Sequence, residues 1–271
     1  MKTAIIGGSG VYDPAMLSNV RKTTVKTIFG EVSASEGELD GREVVFLARH
    51  GSGHTVAPHR INYRANIAAL KVLGAERIIA TAAVGSLNDA MPPGSFVVPD
   101  QFIDNTWGRP VQFFDDGEWA VTHLDMSAPY CTEMRERLIT CCEDAKVKLS
   151  RTGTYVCFQG PRYETPAEIR MYRMLGGDIA GMTHVPEIVL AREAEICYSG
   201  ICVVTNWAAG ISGKDLKHTE VAEMMTEVNE ALKGIIASAI RELPETRSCG
   251  CGNALDEMVA WGRTRPDFKA R

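Results

Sequence analysis

An α/β fold in a single domain, built on a largely parallel or mixed sheet, is what this 271-residue sequence predicts. Three observations carry the expectation. Short apolar, strand-like runs recur along the chain, and helical periodicities alternate with several of them. No internal repeat, low-complexity stretch or linker divides it, and a chain of this length can bury ample core in one body.

The strand-like runs are residues 3–6, 43–48, 77–84, 95–99, 154–158 and 200–205. Residues 62–73 place Ile67, Leu70 and Leu73 at helical spacing and end at Gly74, a favourable residue just past a helix. Thr165-Pro166-Ala167-Glu168 is a sharp helix start. Threonine can cap, proline suits the first helical position, and glutamate three residues on completes a capping box. That helix should run to about Leu175 and stop at Gly176-Gly177. A long last helix, 219 to about 243, sets Val221, Met224, Met225, Val228, Leu232, Ile235 and Ile236 on one face. Residues 1–245 are the predicted domain, and 246–271, rich in glycine and charge, read as a C-terminal tail with a C-x-C motif.

Composition excludes several classes. A formal charge of −5 gives no basic footprint for nucleic acid. No apolar run approaches the ~20 residues that span a bilayer, and the first residues lack the order of a signal peptide. A cytoplasmic protein with no membrane or nucleic-acid partner is expected. Cys131, Cys141, Cys142, Cys157, Cys197 and Cys202 mostly sit among apolar neighbours and read as buried thiols. Cys249-Gly250-Cys251 is different, because its neighbours leave it accessible. Zinc there would need a second pair of ligands at suitable spacing, and none follows. Redox-sensitive tail cysteines are the expectation there, and a metal is not.

The glycines of "TAIIGGSGVYD" follow the first strand-like run. A Rossmann fingerprint fails, because reading from Gly8 puts Asp13 where the third small residue belongs. A phosphate-binding P-loop fails too, since no Gly-Lys-Ser/Thr follows. A glycine-flanked serine at a strand end can still bind an anion through N–H groups and its hydroxyl, or merely turn the chain. After the next run stands Ala48-Arg49-His50-Gly51-Ser52-Gly53-His54. Arginine offers a fork of donors that matches phosphate oxygens, and histidine adds a donor or cation. His50, His54 and His59 could instead be metal ligands, or the loop a solvated basic turn. In Gly181-Met182-Thr183-His184-Val185-Pro186-Glu187, a threonine precedes a proline-initiated helix, where a hydroxyl and helical N–H groups can converge on an anion or simply cap. Three such loops are compatible with one inorganic phosphate site.

In order along residues 3 to 243, "IIGGSG", "LARHGSGH" with "INYRANI", "GSL", "DQFID", "QGPRYET", "GMTHVPE" and "TNWAAG" resemble the trimeric purine nucleoside phosphorylases and methylthioadenosine phosphorylases. The resemblance implies a mixed central sheet, partly closed into a barrel and flanked by helices. It implies a homotrimer or dimer of trimers that cleaves the purine N-glycosidic bond with inorganic phosphate as co-substrate, in purine salvage, without a cofactor. Phosphate would contact Ser9, Arg49, His50, His54, the backbone around Ala82 and Ala83, and Thr183. Many methylthioadenosine enzymes carry threonine where Ala82 stands here. Met182 would lie under the ribose, Tyr163 would stack on the base, and His123 would reach the sugar's 5′ end in an adjacent subunit.

Aminopurine members use aspartates in a pattern like T-D-Y-D, whereas this chain has Thr205-Asn206-Trp207-Ala208. Asn206 can accept from a protonated N7 and donate to O6 with the two ends of its amide. Glu164 stands where oxopurine members accept from N1–H. Both point to a 6-oxopurine, with inosine and guanosine as expected nucleosides and methylthioinosine or methylthioadenosine as alternatives. Asn206, Glu164 and His54 would carry catalysis, while Glu164, Thr165 and His218 would set specificity. His218 resembles the histidine that bonds the 5′-hydroxyl. A phosphate- or nucleotide-sensing module and a metal-dependent hydrolase are the rivals from other classes.

Overall fold

The computed structural model describes residues 1–8, 16–51, 53, 55–114, 122–213, 215–261 and 263–270, with the main chain alone at residue 218. The chain opens with β1 (Lys2–Gly7), a polar hairpin of β2 (Ser18–Thr27) and β3 (Gly30–Leu39), and β4 (Arg42–Ala48). Helix α1 (Tyr63–Val72) leads into the long β5 (Ala75–Ser86), followed by β6 (Phe96–Val97) and β7 (Gln101–Asn105). Next come α2 (Thr132–Asp144), β8 (Leu149–Ser150), β9 (Thr154–Phe158), α3 (Pro166–Met174), β10 (Ile179–Gly181) and α4 (His184–Glu193). The chain closes with β11 (Cys197–Trp207), α5 (His218–Glu242) and the short α6 (Asp256–Ala260).

The sheet is mixed and runs β2-β3-β4-β1-β5-β10-β9-β7, with β11, β6 and β8 branching from β5. β4, β1, β5 and β11 are parallel. Among the described residues the pairing branches at β5 rather than closing into a barrel.

Alternate residues of the central strands feed two cores. Ala4, Ile6, Val45, Leu47, Ile78 and Ala80 pack with α1 and α4, while Ile5, Val44, Phe46, Ile79, Ile201 and Val203 pack with α2 and α5. Both faces are covered, so the middles of these strands are mostly apolar on both faces, as expected of parallel sheets. The signals that predicted the helices are visible as bonds. The Asn62 side chain accepts from Ala65 N–H, Gly74 follows α1 at φ +81°, and Thr165 and Glu168 make both halves of the capping box on α3.

The segment read as a tail is not an appendage. Cys251, Leu255, Met258 and Phe268 are buried, Phe268 lies 4.6 Å from Phe113 ring to ring, and Thr27 bridges Lys269. The C-x-C motif also has the second pair of cysteines that sequence spacing did not offer. The fold brings Cys131 and Cys197 to it, with all four sulfurs within 4.8 Å of one another.

Candidate active site

The four parallel strands end on the same side, so the loops after them share one rim, where α/β sheets hold ligands. Gly8 follows β1, Arg49 and His50 follow β4, Ala82, Ala83, Val84 and Gly85 come from β5, and Thr205, Asn206 and Ala208 from the end of β11. Together with Tyr163, Glu164, Met182 and Thr183 they line a cavity of about 350 Å³, within the size range of small-molecule sites.

Gly8 is one wall of the cavity. A side chain there would collide with Thr81 O at 2.4 Å, so only glycine lets the end of β1 lie this close to β5. The Gly8 N–H donates to Thr81 Oγ1 at 2.8 Å, and Arg49 Nη1 donates to Thr81 O at 2.8 Å. Arg49 is buried, and its Nε and Nη2 donate to the two oxygens of Glu187, a carboxylate that also accepts from Tyr198. Burial opposes the guanidinium's charge, but Glu187 outweighs it and holds the pKa above its ordinary value. The sequence reading offered Arg49's whole fork to phosphate. The structure instead gives three of its five N–H groups to protein. His50 Nδ1 lies 2.9 Å from Val56 O, and since a carbonyl only accepts, the proton is on Nδ1.

Near the end of β11 a register shift falls between Val204 and Asn206, after which Asn206 and Trp207 still pair with Gly85 and Ser86 of β5. Asn206 Nδ2 donates to Trp207 O at 2.8 Å, and Thr205 Oγ1 donates to Asn206 Oδ1 at 2.8 Å. A carbonyl cannot donate, so the Trp207 contact sets which end of the amide is oxygen. Glu164 is half-buried, and removal from water pushes its carboxyl up to about 7.

A buried arginine absent from the sequence reading joins three walls. Arg109 donates from Nη1 to Met182 O at 2.9 Å and Val185 O at 2.7 Å, and from Nη2 to Phe158 O and Gln159 O. Its guanidinium lies over the Tyr63 ring, whose hydroxyl donates to Pro58 O, and Pro58 and Met182 both line the cavity. Arg109 and Tyr198 lie outside the motifs quoted above, while Thr205 and Glu187 lie inside them but showed no role of their own, Glu187 because its partner Arg49 is 138 positions away.

Other expected residues lie elsewhere or only partly as expected. Thr183 lines the cavity, but its side chain makes no capping bond, and its N–H is given to the Tyr155 hydroxyl. Thr165 caps α3 and does not line the cavity. His123 is exposed and also absent from the lining. Ser9 and His54 lie outside the described residues, as does the side chain of His218. Residue 218 begins α5, and Leu216 and Val221 on either side of it line the cavity.

A family model described as "Phosphorylase superfamily" matches residues 2–241. The 6-oxopurine nucleoside phosphorylase of Pyrococcus furiosus is 54% identical over 260 residues, covering 94% of this chain and 97% of that protein. A probable S-methyl-5'-thioinosine phosphorylase of Methanothermobacter thermautotrophicus is 47% identical, covering 93% of this chain and 88% of that one. Methylthioadenosine phosphorylase from Schistosoma mansoni, solved with adenine, superposes with a TM-score of 0.90 at 32% identity, covering 97% and 99% of the two chains.

Proposed function

The chain belongs to the phosphorylase superfamily, and from that premise we propose that it is a pentosyltransferase cleaving 6-oxopurine nucleosides, inosine and guanosine, with inorganic phosphate. One observation carries the reading: a single cavity is lined by an amide of set orientation, a carboxylate and the Gly8–Arg49–His50 corner.

Phosphate would sit at that corner, with Thr183, Ser9, His54 and the Ala82–Ala83 main chain completing its contacts. Met182 would lie under the ribose and Tyr163 against the base. The C1′–N9 bond breaks with its electron pair leaving on the purine, and a phosphate oxygen then bonds C1′ from the opposite face. Asn206 accepts the proton carried on N7 and donates to O6, while Glu164 accepts from N1–H. The phosphate anion stabilises the cationic sugar, so positioning and charge placement do the work. No cofactor or metal enters the chemistry.

The same reading includes a homotrimer or dimer of trimers in the cytoplasm, serving purine salvage. Exposed Met171, Met174 and Leu175 on and beside α3, close in sequence to Glu164, support a covered face next to the cavity. His123, exposed in one copy, would then serve its neighbour.

Leu216 and Val221 favour a second reading, in which an apolar 5′-methylthio group is accepted beside residue 218 and methylthioinosine is the nucleoside. Product analysis with inosine, guanosine, adenosine, methylthioadenosine and methylthioinosine, each with and without phosphate, tests both. Hypoxanthine released from inosine only with phosphate is expected. Binding without release, or release of hypoxanthine that does not depend on phosphate, would overturn the reading.

A further inference from the structure

Four cysteines from three distant parts of the chain converge at the edge of the fold opposite the cavity. Cys131 immediately precedes α2, Cys197 opens β11, and Cys249 and Cys251 bracket the start of a short 3₁₀ turn at Gly250–Asn253. Three are buried, Cys249 is half-buried, and Cys197 Sγ lies 3.3 Å from Cys249 Sγ. Four thiolates around one zinc ion at ~2.3 Å stand about 3.8 Å apart, so sulfurs gathered within 4.8 Å need only small side-chain adjustments to meet that geometry.

Charge gives the independent argument. Four thiolates and one divalent cation carry a net charge of −2, costly away from water unless compensated. Two guanidiniums stand at the cluster. Arg192 Nη1 points to Cys251 Sγ at 3.9 Å, and Arg247 lies beside Cys197 and Cys249. A side chain at residue 252 would strike Arg247 Nη2 at 2.4 Å, so Gly252 leaves room for that cation. Two disulfides would be neutral, would need no such pair of cations, and would not require all four sulfurs to meet at one point.

We propose that Cys131, Cys197, Cys249 and Cys251 bind one thiophilic divalent cation of the zinc class, as a closed structural site. It ties the C-terminal segment to the start of α2 and the start of β11. Cys197 lies nine residues from Asn206 along one strand, roughly 30 Å, so the cation takes no part in the chemistry of the cavity.

The test uses the full chain purified under thiol reductant with zinc supplied. Elemental analysis should find about one zinc per chain after dialysis, retained in Cys141→Ser and lost in Cys249→Ser/Cys251→Ser. Exchange with cobalt should produce thiolate-to-cobalt charge-transfer bands and the visible bands of a tetrahedral ion, a measurement that needs no variant to fold. Thiol counting on protein alkylated at lysis should return all eight cysteines as free or metal-held thiols. Zinc-free protein that gives no cobalt spectrum, or a count of four thiols with four in disulfides, would overturn the proposal.

Discussion

Arg49 and Glu187 face each other in a double hydrogen bond, Nε to Oε2 and Nη2 to Oε1, both 2.7 Å, with neither side chain exposed. The residues are 138 positions apart, so the pair clamps the loop after β4 to α4. Breaking such a pair strands a buried charge, whereas removing it whole does not. Arg49→Ala or Glu187→Ala alone should lower the unfolding free energy by ~3–5 kcal/mol in urea. The double substitution should cost clearly less than the sum. Strictly additive losses would show that the two act independently.

Asn206 should matter to turnover and little to folding. Asn206→Ala is expected to lower kcat for inosine by ~10²–10³ with an almost unchanged urea midpoint. Thr205→Val removes the hydroxyl that orients the amide and should lower kcat by about tenfold, the worth of one hydrogen bond, with Thr205→Ser restoring it. Steady-state kinetics on inosine decide the matter, and undiminished turnover in Asn206→Ala ends the assignment.

Glu164 gives the activity an acid limb. Burial pushes its carboxyl up to about 7, and only the ionised form accepts from N1–H of an oxopurine. Below that pH, kcat/KM for inosine should fall roughly tenfold per unit, and Glu164→Gln should flatten the limb at a lower plateau.

The same shift has an opposite consequence for stability. The folded value lies above the ordinary 4.5, so protons favour the native state. This contribution is fully present below about 4.5, is lost as pH rises to about 7, and stays absent above it. Glu164→Gln should therefore raise the melting temperature at pH 8 more than at pH 4, by the equivalent of ~1–3 kcal/mol. A melting curve at each pH suffices, and equal shifts at both would contradict the buried carboxyl.

Deleting residues 246–271 should lower the melting temperature by roughly 10 °C, since each buried Leu, Met or Phe contributes ~1.5–3 kcal/mol. Phe268 against Phe113 is the contact most directly lost. Unaltered melting of the shortened chain would restore the view of this segment as an appendage.

What was readable in the sequence was whatever is local or fully buried. β1, β4, β5 and β11 are apolar at nearly every position because helices cover both faces, and α3 announces itself through Thr165, Pro166 and Glu168. The hairpin of β2 and β3 was missed because Ser18–Thr27 is mostly exposed and polar, leaving no apolar run to see. At the site, Asn206, Glu164, Arg49 and Met182 could be named because they sit in distinctive short motifs. Arg109 lies in no such motif, and Glu187, though inside GMTHVPE, showed no role of its own, since the partners of both lie dozens of residues away. Cys249 and Cys251 were visible as a pair, but Cys131 and Cys197 meet them only through the fold.

The contact between Asn206 Nδ2 and the Trp207 carbonyl reaches beyond one hydrogen bond. An asparagine free to spin by half a turn would welcome either hydrogen-bonding edge of a purine, exchanging oxygen for nitrogen at almost no energetic cost. Here the main chain opposes that rotation, so on the proposed reading preference for one tautomeric pattern is written into the backbone rather than into a rotamer. Retuning this protein toward adenine would accordingly require reshaping the bulge at the end of β11, because exchanging a single side chain would leave the same carbonyl selecting against the new one.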